Sequence, residues 1–322
     1  MKIMFKSYSS LRVILLFSAI SFLVSCSGYK IAERHLNGKM KRFDLVQLTW
    51  VNELNGDTVE YWDNSNLDKP VMLLVHGFWA TSKYQFDKQI KMLTEDYRIV
   101  MPNLYHFGNT RPGSEKYSIQ DQVDLLINLL QELKIETYSL MGVSYGGLIG
   151  IELANMNKDK VNQMILFDAP IKYVDTNDIN SITDFYNAPS IEELFVPEKP
   201  EGLKKLILLA TGKKSHLPKI LFMEFLKEAY TYNLLDKRAL ITSMINGLEE
   251  YQSRHYEFDI PILLIWGEDD MVVSASKGLL LQKHLGIKCK YHVIKKAAHM
   301  PNMTNSKEFN SLLYNFLNST IQ

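Results

Sequence analysis

The sequence predicts an α/β fold with a mostly parallel central sheet, helices on both faces and an inserted helical cap, on three observations. Short apolar runs alternate with helix-like segments between residues 71 and 167 in a βαβαβ order, which implies parallel strands joined by right-handed crossovers. A serine set between glycines, Gly142-Val143-Ser144-Tyr145-Gly146-Gly147, stands where an apolar run meets a helix-like run. The alternation then stops between 171 and 258, where helix-like and aromatic-rich sequence takes over, and resumes afterwards.

The elements follow in order. Residues 45–54 and 58–62 alternate apolar and polar side chains around Asn55-Gly56, a strong hairpin signal. Residues 71–75 form a continuous apolar run, as expected of a strand buried on both faces, and lead into His76-Gly77-Phe78. A helix is expected at 83–93, a short strand at 98–101 and a loop at 102–113. Ser118 to Asp121 resembles a capping box opening a helix with Val123, Leu126, Ile127 and Leu130 at helical spacing. Residues 137–141 are the strand feeding the serine, 146–156 the helix leaving it and 161–167 the next strand. In the cap, Ser190 to Glu193 is a capping box, Pro218 can start a helix at 219–230, and 240–248 offers another. The sheet resumes at 262–265, followed by a helix at 277–284, a last strand at 291–294 and a closing helix at 309–317.

Composition bounds the function. A chain of 322 residues with 46% apolar content can build a large core. Lys plus Arg (36) equals Asp plus Glu (36), so nothing points to nucleic acid as a partner. No His-x-x-x-His or Cys-x-x-Cys spacing suggests a metal, and no phosphate-cradling loop suggests a nucleotide.

The N-terminus is a separate unit. Lys2, Lys6 and Arg12 precede an apolar run at 13–24 that is short for a bilayer span, the layout of an export signal. Its end, Leu23-Val24-Ser25-Cys26, resembles the lipobox of bacterial lipoproteins. The resemblance implies cleavage after residue 25, lipidation of Cys26 and attachment to a membrane of the cell envelope. Residues 28–41 are polar without a clear period and suit a tether. The expected organisation is therefore a signal peptide at 1–25, a tether at 26–43, core at 44–170, cap at 171–258 and core again at 259–322. With Cys26 modified, only Cys289 remains, and alternation around it predicts a buried strand residue rather than a reactive thiol.

A serine hydroxyl is a weak nucleophile that needs an imidazole base, and the imidazole needs a carboxylate to fix its tautomer. In the order Ser, acid, His both partners should follow later strands. His299, in Ala297-Ala298-His299-Met300-Pro301, lies past the last expected strand. Asp270, in Trp266-Gly267-Glu268-Asp269-Asp270, lies past the strand before it, with Asp269 and Asp168 as rivals.

These residues resemble the α/β-hydrolase fold family from about residue 45 onward, and more closely small bacterial lipases and esterases with a helical cap. The resemblance favours Asp270 over its rivals through the spacing Gly267 to Asp270. It implies an oxyanion hole from the backbone N–H groups of Phe78 and Tyr145, with His76 fixing a loop. It also implies hydrolysis of carboxylic esters, lipid-like esters among them, and Ser-His-Asp chemistry requires no cofactor. The same triad on this fold serves C–C and amide bonds, and a non-catalytic lipid-anchored binding protein is a third reading. One departure stands out: Pro102-Asn103-Leu104 replaces the family's Pro-Asp-Leu, and His106, where Gly is common, is expected in an exposed loop.

Overall fold

The computed structural model describes residues 28–230 and 232–320, so Cys26 and the expected signal segment lie outside the described residues. Eight strands form one sheet: β1 (Val46–Val51), β2 (Thr58–Asp63), β3 (Val71–Val75), β4 (Arg98–Pro102), β5 (Tyr138–Val143), β6 (Val161–Phe167), β7 (Ile262–Gly267) and β8 (Cys289–Ile294). Their spatial order is β1-β2-β4-β3-β5-β6-β7-β8. The β1–β2 hairpin turns through Gly56 at φ 77°, β2 runs antiparallel to β4, and every later pairing is parallel. Arg98 pins the antiparallel join through paired bonds to Asp63, Nε to Oδ1 at 3.1 Å and Nη2 to Oδ2 at 2.6 Å.

Alternation along the central strands builds two apolar layers. Leu73, Val75, Leu140, Leu166 and Leu264 face one layer, where they join Leu126, Leu129 and Leu148. Met72, Leu74, Met141, Ile165 and Ile265 face the other, with Phe86, Ile90, Phe309 and Leu313. Helices therefore cover both sheet faces, as the uninterrupted apolar runs require.

Between β6 and β7 the described chain is helical: Thr176–Tyr186, Ile191–Phe195, Pro200–Thr211, Lys219–Phe225, Leu234–Asn246 and Leu248–Ser253. Ser190 caps its helix through the Glu193 N–H, and Pro200 occupies the first turn of another. The helix starting at Lys219 gives way to a π-turn at Leu226–Tyr230, earlier than its apolar pattern suggests. The expected helix at 240–248 begins instead at Leu234, and the one at 83–93 is split into Ser82–Phe86 and Ile90–Asp96.

The expected tether is a correction. Gly28–Lys41 is a helix, held by partners far along the chain that a local reading cannot supply. Lys83 bonds Asn37 at 2.9 Å and pairs with Glu33, Lys39 pairs with Asp87 at 2.9 Å, and Met40 is fully buried in the second apolar layer. Among the described residues no helix is long and apolar enough to cross a membrane.

Candidate active site

The site grows from the turn after β5. Ser144 has φ 50° and ψ −122°, a conformation costly for a residue with a side chain, and heads the helix Tyr145–Met156. The flanking glycines make this turn possible. A Cβ on Gly146 would lie 2.3 Å from the Val75 carbonyl oxygen, and one on Gly142 would lie 2.6 Å from that of Gly146. Both contacts are to backbone, which cannot swing aside.

The strands after β5 deliver the partners. His299 Nε2 lies 2.8 Å from Ser144 Oγ, and its Nδ1 lies 2.9 Å from Asp270 Oδ2. Because a carboxylate only accepts, Nδ1 carries the hydrogen and Nε2 is free to accept from the serine. Asp270 Oδ1 accepts the Val272 and Val273 N–H groups at 2.8 and 3.1 Å. All three side chains are buried.

The two rival carboxylates have other placements. Asp269 is exposed. Asp168 is fully buried at the end of β6, and its Oδ1 accepts the Gly267 N–H at 2.9 Å. Burial, and after it the charge of Asp270, hold the Asp168 carboxyl well above the usual carboxylate range. Asp168, Asp270 and His299 place ligand-type atoms within 4.8 Å of one another, but the Asp270 oxygens are already engaged by the imidazole and two amides.

His76 fixes two loops. Its Nδ1 donates to the Gly77 carbonyl at 2.7 Å and its Nε2 accepts the Leu104 N–H at 3.0 Å. Burial lowers its pKa to about 4, which keeps the ring neutral and this pattern intact. Gln85 completes the clamp, accepting the Gly77 N–H and donating to the Gly77 and Ala80 carbonyls. Phe78 therefore sits in a loop tied on both sides, and Gly77 is so near the serine that a Cβ there would lie 3.3 Å from Ser144 Cβ. Tyr145 supplies the first N–H of its helix, one of those without an intrahelical partner.

Sequence reading missed the amides that join these loops. Asn302 Nδ2 donates to the Gln85 carbonyl at 2.6 Å, and Gln89 Nε2 donates to the Asn302 carbonyl at 3.0 Å, which locks the histidine loop to the segment that follows Phe78. Gln85 and Gln89, four apart beside Phe86 and Ile90, are the available signal: buried amides need partners.

The departures in the Pro102 loop also find a reason. Asn103 donates to Glu60 at 2.6 Å and accepts from Ser82, which an aspartate facing Glu60 could not do. His106 corrects the expectation of an exposed loop residue. It is buried, stacks on Tyr117 with ring centroids 5.1 Å apart and bonds the Lys116 carbonyl at 3.0 Å.

Two clefts meet at Ser144. One is apolar, with walls from Val174, Ile182, Ile191, Phe195, Ile241 and Ile245. The other runs past His299 and Trp79 to Leu206, Leu209 and Ala210.

A family profile for the alpha/beta hydrolase fold matches residues 70–306. The chain belongs to the α/β-hydrolase fold family. Within this family it is 24% identical to the monoacylglycerol lipase ABHD6 of Homo sapiens, over 78% of this chain and 76% of the relative. It is 25% identical to Lipase 1 of Psychrobacter immobilis, over 80% and 82%. The crystal structure of a bacterial membrane phospholipase A superposes with a TM-score of 0.72 at 19% identity, covering 97% of this chain and 98% of that one. Relatives of similar identity also include an epoxide hydrolase of Xenopus tropicalis.

Proposed function

We propose that the protein is a serine hydrolase of carboxylic esters with apolar acyl groups, carried by the continuous contact from Ser144 Oγ through His299 to Asp270. Ser144 Oγ attacks the acyl carbon as Nε2 takes its proton, and Asp270 stabilises the imidazolium that forms. The Phe78 and Tyr145 N–H groups receive the developing oxyanion. As the tetrahedral species collapses, Nε2 returns the proton to the leaving alcohol and an acyl-Ser144 remains. Water then gives its proton to Nε2, attacks the acyl carbon, and releases the acid with Ser144 restored. The apolar cleft beside Ser144 supports an apolar acyl chain. A serine at the elbow, rather than a carboxylate, argues for esters over epoxides.

The test is hydrolysis of a series of esters of rising acyl length by wild type and Ser144→Ala. Wild type should gain about fourfold in kcat/KM per added methylene while the cleft fills, since each is worth about 0.8 kcal/mol. Ser144→Ala should lose about 10⁶-fold in kcat. Equal activity of the two proteins rules the mechanism out.

The proposal includes lipidation of Cys26 and attachment to a bacterial envelope membrane, on the strength of the Leu23-Val24-Ser25-Cys26 sequence. Mass spectrometry of the mature N-terminus decides it, and an unmodified Cys26 overturns it.

A further inference from the structure

One face of the helical insertion is apolar and exposed, in a stretch of sequence rich in lysine. Leu217, Ile220 and Met223 recur every three residues across the start of the helix Lys219–Phe225, at 54%, 59% and 50% exposure. The opposite side of that helix buries Phe222 and, just beyond it, Leu226. Residues 201–228 carry Lys204, Lys205, Lys213, Lys214, Lys219 and Lys227 against Glu201, Glu224 and Glu228, in a chain whose net charge is zero, and Lys219 pairs with Glu201 at 3.4 Å. Lys213 and Lys214 are exposed and form no ion pair among the described residues.

The helix Gly28–Lys41 also meets this surface. Gly28 packs so closely on this helix that a Cβ on it would lie 2.3 Å from Leu221 Cδ2, and the Tyr29 N–H donates to Glu224 at 3.2 Å. Cys26 is two residues earlier. The inner neighbours of the helix reach the cleft: Phe225 stacks on Trp79 with centroids 6.2 Å apart, and Trp79, Leu206 and Leu209 line the space beside Ser144 and His299.

We propose that the Leu217, Ile220 and Met223 face rests on an anionic lipid bilayer, with the apolar ridge below the headgroups and Lys213 and Lys214 among the phosphates. Charge selects this occupant: a second copy of this chain would bring the same cations against one another, whereas an anionic surface neutralises them. Docking sets the wall of the cleft beside the source of an amphiphilic ester. That consequence rests on the ester-hydrolase reading; the docking does not, nor does it need a modified Cys26.

The experiment uses the chain from Gly28, which retains both apolar layers and every contact of the site. Flotation is measured with vesicles of equal parts phosphatidylglycerol and phosphatidylcholine, and with phosphatidylcholine alone. The protein should partition onto the anionic vesicles. Lys213→Gln with Lys214→Gln should weaken partitioning about 25-fold, at about fivefold per lost ammonium. Leu217→Ser with Ile220→Ser and Met223→Ser should weaken it about tenfold or more. Both variants should keep wild-type melting and wild-type hydrolysis of a soluble short ester. Partitioning that is absent, or unchanged in the variants, overturns the proposal, as does a concentration-dependent dimer in sedimentation velocity that the triple substitution abolishes. A wild type that floats but hydrolyses no ester instead removes the hydrolase reading and leaves the docking standing.

Discussion

Asp270→Asn separates orientation of the imidazole from every other role of the acid. Asp270 Oδ1 is held by the Val272 and Val273 N–H groups, so an asparagine keeps its carbonyl oxygen there. Its NH₂ then occupies the Oδ2 position, 2.9 Å from His299 Nδ1. Two hydrogens cannot face each other, so Nδ1 becomes the acceptor and the ring hydrogen moves to Nε2. Nε2–H now points at Ser144 Oγ and cannot take its proton. The wrong tautomer costs about 10⁴ in kcat, or about 5.5 kcal/mol of barrier, with little change in fold. Asp168→Asn is the matched control, because an amide is isosteric with this burial-raised carboxyl and its Oδ1 contact to the Gly267 N–H survives as an amide oxygen. It should cost less than about tenfold on the scale of one neutral hydrogen bond. Steady-state kinetics with a soluble ester, beside thermal melting, measures both. A loss below about tenfold in Asp270→Asn, or equal losses in the two variants, refutes the assignment of the acid.

Acid should weaken the fold through His76. Its folded pKa, about 4, lies below the unfolded 6.5, so between these values the unfolded chain binds a proton that the native ring refuses. The contribution is complete above pH 6.5 and falls by up to about 3 kcal/mol as pH drops to 4, at 1.36 kcal/mol per unit. Urea unfolding across this range should show a shallower fall in His76→Gln, and parallel curves would contradict the reading. Gly146→Ala should destabilise by about 3 kcal/mol or more, since the added carbon meets two backbone carbonyls, those of Val75 and His76, at 2.3 and 2.4 Å. A melting temperature within a few degrees of wild type would show that the elbow can yield.

The parallel sheet and the helical insertion were legible because strand burial and crossover order leave a periodic trace. The strand runs at 71–75, 164–167 and 262–265 are apolar on both faces, and the structure buries both. Ser144, Asp270 and His299 stand in the sequence shortly after successive expected strands, at 137–141, 262–265 and 291–294, and the structure brings their side chains together. What escaped depends on partners far along the chain. Asn302 lies 217 residues from Gln85, and Glu33 lies 50 from Lys83, so neither the amide lock nor the N-terminal helix has a local signature. His106 looked like a surface residue in a Gly-bearing loop, but its burial is set by stacking on Tyr117 across that loop.

The rivalry among the carboxylates is itself a consequence of the topology. In the order β5-β6-β7-β8 the strands run parallel, so the turns after them converge on one edge. Ser144 follows β5, Asp168 follows β6, Asp270 lies three residues past β7, and His299 comes five residues past β8. Any acidic residue at the end of β6 must arrive between the serine turn and the acid turn, which is why the sequence offers two plausible acids. Two carboxylates at this spacing cannot both ionise without a large cost. Donors decide between them: Asp270 accepts from the imidazole and two backbone amides, whereas Asp168 accepts one amide and its Oδ2 finds no donor. The carboxylate with the fuller set of donors is therefore the one that touches His299, and the neighbouring acid, raised by burial, sits beside it without competing for the imidazole.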